Sequence, residues 1–123
     1  MKTKFLFLFL FPLLLCFNGC KKESVNNIVC DTTGWIPDSI RYSTTVEPLI
    51  NLNCLGCHSN SVKRGNVTME GYDHLKKYVD NDKLLGTIGH LKHYKPMPQN
   101  GTQLPQDQIC KIKFWIDNGA LNN

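Results

Sequence analysis

Residues 53–60 read Asn-Cys-Leu-Gly-Cys-His-Ser-Asn, which puts the thiols of Cys54 and Cys57 and the imidazole of His58 within five positions. Three kinds of chemistry use such a set: a redox dithiol, half of a zinc site, or the covalent attachment of a prosthetic group. Each makes a different demand on the surrounding chain.

A dithiol of the thioredoxin kind sits where a strand runs into a helix. Upstream of Cys54 the chain reads YSTTVEPLINLN, with no strand-like alternation. Thr44 and Glu47 have capping-box spacing, Pro48 falls in the first turn, and Val46, Leu49 and Ile50 share one helical face. A helix is therefore expected to lead into the motif. A tetrahedral zinc site needs two further ligands at zinc-like spacing. No second Cys-x-x-Cys and no His-x3-His follows, although His90 and His93 lie three apart.

Haem attachment explains the spacing better. Thiols separated by two residues can each add to one vinyl group of a porphyrin, and the next residue, His58, is carried to the iron as axial ligand. Leu55 and Gly56 between them are apolar or small, so the chain can lie against the ring. Covalent attachment of this type takes place after export.

The beginning of the chain agrees with export. Lys2 and Lys4 precede an apolar run from Phe5 to about Phe17, interrupted by Pro12. That run is short for a membrane span of ~20 residues and fits the apolar core of a signal peptide. Phe17-Asn18-Gly19-Cys20 looks like a bacterial lipobox, with a small residue directly before a cysteine whose sulfur takes the lipid. The expected organisation is a lipoprotein signal peptide at 1–19, a lipid-anchored tether at 20–29, and one small domain at 30–123. The alternative is a plain secreted protein with a spare thiol at Cys20. The 123 residues carry 14 Lys and Arg against 10 Asp and Glu, a net +4. Loss of residues 1–19 removes Lys2 and Lys4 and leaves about +2, which gives no support to a nucleic-acid binder.

Six cysteines are present. Cys16 leaves with the signal peptide, Cys20 takes the lipid, and Cys54 and Cys57 belong to the motif. Cys30 and Cys110 remain, and in an exported protein such a pair reads as a disulfide. Two free buried thiols are the alternative.

The rest of the chain reads as helix. Pro105 falls in the first turn of a terminal helix, where its missing N–H costs little. Ile109, Ile112 and Ile116, with Trp115 beside them, make an apolar stripe, and Asn118-Gly119 ends it. Trp115 reads as core. Two shorter helices are expected over about Tyr72 to Val79 and near Lys83 to Ile88. Strand signals are nearly absent.

CLGCH, then YKPMPQNG, then ICKIKFWIDNGALNN together resemble a small monohaem cytochrome c of the bacterial lipoprotein type. The resemblance covers most of the chain from Cys30 to Asn123. It implies an all-α, cytochrome c-like helical fold around one covalently bound haem c, with the first and last helices crossing beside the exposed haem edge. That crossing would bring Val46 and Ile50 against Ile112 and Trp115. The family often places a glycine and an aromatic on the first helix, where this chain has Val46 and Ile50.

Met97 is the expected sixth ligand. Pro96 and Pro98 stiffen its loop and keep it from being helical, so the thioether is held ready over the iron. His90, His93 and Met69 are its rivals. His58 is expected to donate its other ring N–H to a main-chain carbonyl. Because no proline lies between His58 and Pro96, the acceptor is sought near Gly65 to Val67.

With His58 and Met97 both on the iron, the expected activity is transfer of one electron, not catalysis, and no small-molecule substrate or nucleic acid is called for. The expected partners are a redox donor and acceptor met transiently, with the membrane reached through the lipid. Lys63, Lys92 and Lys95 are candidates for steering acidic partners. The expected location is the periplasmic side or the surface of a bacterial membrane. The alternative is a haem-based ligand sensor or peroxidase-like enzyme whose sixth ligand can leave.

Overall fold

The computed structural model describes residues 25–99 and 101–123. The expected signal peptide at 1–19 and the expected lipid anchor Cys20 lie outside these residues. The described chain is all-α, with five helices: α1 (Glu47–Asn53), α2 (Leu55–His58), α3 (Tyr72–Val79), α4 (Lys83–Ile88) and α5 (Gln106–Asp117). Among the described residues none is in a strand, and no helix is long and apolar enough to cross a membrane.

α3 and α4 have the bounds that their apolar spacing predicts. Leu75 and Val79 fall one turn apart on α3, and Leu84, Leu85 and Ile88 on α4, and all five are buried. α5 presents Ile109, Ile112 and Trp115 inward, with Ile116 half-buried against the same cluster. Pro105 stands just before α5, extended at ψ 139, rather than inside its first turn. Asn118 caps the other end, and Gly119 (φ 97) takes the left-handed conformation that reverses the chain.

α1 is entered through a π-type turn, Tyr42–Val46, so Thr44 lies within the winding chain and makes no side-chain cap. The first N–H groups of the winding chain are instead met from the far end of the molecule. The Tyr42 N–H donates to Asn123 Oδ1 (2.9 Å) and the Ser43 N–H to the Asn123 main-chain oxygen (2.9 Å).

The π-type turn into α1 packs against α5. Val46, Ile50, Ile112 and Trp115 share one buried cluster. Tyr42 lies one turn before Val46, at the start of the π-type turn. Its ring lies 5.9 Å from Trp115 and 5.2 Å from Tyr72, centroid to centroid. The tail then folds back beneath this trio: Tyr72 O–H donates to the Ala120 carbonyl (2.8 Å), and Trp115 Nε1–H to that of Leu121 (2.9 Å).

A disulfide joins Cys30 to Cys110 on α5, closing 80 residues of chain. The folded body begins earlier than the polar composition of 20–29 suggested. Val25–Asn27 form a 3-10 turn, Ile28 is buried in the core, and the Val29 carbonyl accepts from Gln106 (3.1 Å). One apolar side chain, Ile28, draws this stretch inward against Gly89.

Candidate functional site

The helical chain carries Cys54, Cys57 and His58 toward one cavity. α1 ends at Asn53, and Cys54 (φ −121, ψ −38) forms the joint to α2. The helical hydrogen bonds nevertheless continue across it: Cys54 N–H to the Ile50 carbonyl (2.8 Å) and His58 N–H to the Cys54 carbonyl (2.9 Å). Positions i, i+3 and i+4 of a helical segment share a face, which turns the two thiols and the imidazole to the same side.

That face opens on a cavity of about 280 Å³ lined by Cys54, Cys57, His58 and Met97. Leu84 and Ile88 of α4, with Val67, Met69 and Leu104, make much of the rest of the wall apolar. Asn53, Arg64, Lys95 and Gln99 add polar groups. Asn53 also ties α1 to α5, donating from Nδ2 to Gln108 Oε1 (3.2 Å). Four residues expected to act together, more than forty positions apart in sequence at the extremes, thus meet at one site.

Met97 is held by its main chain. Its N–H donates to the Thr87 carbonyl (3.0 Å), and its own carbonyl accepts from His90 Nε2 (3.0 Å). A carbonyl only accepts, so the His90 proton is on Nε2. That nitrogen is therefore committed to the loop, and neither His90 nor His93 lines the cavity. Met69 does line it, with its N–H on the His58 carbonyl (2.8 Å).

One expected contact is missing. The Nδ1 of His58 is buried and has no hydrogen-bond partner, so no carbonyl between Gly65 and Val67 accepts from it. The chain there turns through Lys63 (φ 47), Gly65 (φ 67) and Asn66 (φ 59), and bonds within itself, from Asn66 N–H to Lys63 and from Val67 N–H to Arg64. An unpaired buried nitrogen costs about 1–3 kcal/mol, a cost that a hydrogen-bond partner at Nδ1 offsets.

The Cys54 thiol is not disposed for redox exchange. Cys54 and Cys57 are free, whereas Cys30 and Cys110 are bonded. Burial pushes the Cys54 thiol up to about 11, away from the thiolate that disulfide exchange requires. Among the described residues no group of three His, Cys, Asp or Glu side chains is gathered as a metal site of the zinc type requires. A soft thioether, an imidazole and two thiols lining one largely apolar cavity are a donor set suited to a c-type haem.

Lys95 is on the cavity wall, while Lys63 and Lys92 are not among its lining residues. Compared with protein-family models, curated proteins and solved structures, the chain matches none.

Proposed function

We propose that this protein carries one electron on a single covalently attached haem c, with Cys54 and Cys57 as the attachment thiols and His58 and Met97 as the axial ligands. The observation that carries this reading is the convergence of those four residues on one largely apolar cavity. When bound, the haem supplies a one-electron couple at its iron. The protein's part is to hold a neutral imidazole nitrogen and a soft sulfur at the metal, and to surround the group with apolar side chains. The soft sulfur favours the reduced iron and raises its reduction potential relative to bis-histidine ligation.

The reading extends to an exported lipoprotein anchored through Cys20 that meets its redox donor and acceptor transiently. The sensor alternative requires Met97 to leave. The hydrogen bonds at both its N–H and its carbonyl favour the electron carrier.

An absorption spectrum tests the reading, recorded on the full chain made in a host with c-type haem maturation, before and after acid–organic extraction. The expected result is colour that stays with the chain and a methionine–iron band in the ferric form. Colour that extracts away would make CLGCH something other than a haem attachment. Colour that stays without the methionine band would remove Met97 and favour the sensor.

A further inference from the structure

We propose that His90 is a positioning residue that latches Met97 in place, an inference that rests on the haem reading above. α4 ends at Ile88, and the Thr87 carbonyl accepts two N–H groups: that of His90 (3.3 Å) and that of Met97 (3.0 Å). The ring of His90 then returns to the Met97 carbonyl (3.0 Å). Thr87, His90 and Met97 therefore form a closed circuit of hydrogen bonds. Both main-chain groups of Met97 are tied to the end of one helix.

The backbone at His90 makes this return possible. At φ 52 it is left-handed, a conformation in which histidine is more common than most side chains. His90 is half-buried, so its bond competes less with water than a surface contact does. Thr87 lines the same cavity as Met97, so the latch is built on the cavity wall itself. Its effect is to keep the thioether's main chain fixed while the sulfur meets the iron, which lowers the cost of forming that bond and resists competing ligands.

The test uses the full chain, matured with haem, as wild type, His90→Ala, His90→Gln and His93→Ala. Gln carries an amide N–H as many bonds from Cα as Nε2 of histidine. His93 sits in the same loop at φ 74, is exposed and is away from the cavity, so its variant reports on loop strain alone. The readouts are extraction-resistant colour, the ferric methionine–iron band, reduction potential, and the affinity of added imidazole for the ferric protein.

His90→Ala is expected to keep its haem but weaken the methionine band, lower the potential and bind imidazole about threefold to tenfold more tightly, as loss of one hydrogen bond predicts. His90→Gln restores most of these values, and His93→Ala matches wild type. The latch is overturned if His90→Ala matches wild type, or if His93→Ala changes as much as His90→Ala. A wild-type protein that holds no haem or shows no methionine band fails earlier. That result overturns the haem reading, and this inference with it, before any variant is compared.

Discussion

Asn123 accepts the Tyr42 N–H on its side-chain oxygen, 81 positions away in sequence. The contact caps the turn that leads into α1 and so steadies the helix that leads to Cys54. Asn123→Ala removes the side-chain acceptor and leaves the main-chain contact to Ser43. The expected cost is about 1 kcal/mol, read as a lower urea midpoint with unchanged slope. Faster hydrogen exchange at Tyr42, with Ser43 less affected, would locate the loss at the cap.

Gly86 is the point where α4 and the Met97 loop press together. A Cβ at this position would overlap the Tyr94 ring. Gly86→Ala is therefore expected to destabilise by about 1–3 kcal/mol despite alanine's better helix propensity. Gly56, at which a Cβ meets nothing within 4 Å, is the control. Thermal unfolding of both variants checks this, and Gly86→Ala as stable as Gly56→Ala would mean that Tyr94 moves aside freely.

Met97 and Met69 both line the cavity but hang from different supports. Met69 is bonded to the His58 carbonyl, on the side of the motif, whereas Met97 is bonded to α4. Met97→Ala is expected to lose the methionine–iron band entirely and to lower the reduction potential while retaining covalent haem. Met69→Ala is expected to keep the band. The reverse pattern would exchange the two assignments.

The Cys54 thiol gives the haem-free chain a signature at alkaline pH. Its folded pKa is raised from 9.0 to about 11, so between those values the unfolded chain releases a proton that the folded chain retains. Stability then falls as pH rises through that window and is unaffected below it. Tyr42, pushed up to about 12 mainly by burial and by Glu47, adds a similar slope from about pH 10. Subtracting the profile of Cys54→Ser isolates the thiol, and a difference flat with pH from 9 to 11 would contradict the burial of its sulfur.

The parts of this fold legible in the sequence are those written in local spacing. α3 and α4 follow from apolar periods, the end of α5 from Asn118-Gly119, and the gathering of CLGCH from its own register. The pairing of Cys30 with Cys110 was legible by elimination. The Asn123 cap and the bond from His90 to Met97 join residues by routes through space, and neither leaves a periodic mark. Thr44 and Glu47 had the right spacing for a cap, but long-range bonds at Tyr42 and Ser43 moved the start of the helix. The acceptor expected for His58 was inferred from a missing proline, and the left-handed turn at 63–66 satisfies its own main chain instead.

Ile28 in the core and the turn at Val25 bring the folded body within five positions of Cys20. Five residues reach at most about 18 Å when fully stretched. With a lipid on Cys20, as proposed, the body is kept on a short leash. On that reading the proposed redox donor and acceptor would have to bring their own redox groups close to the membrane surface.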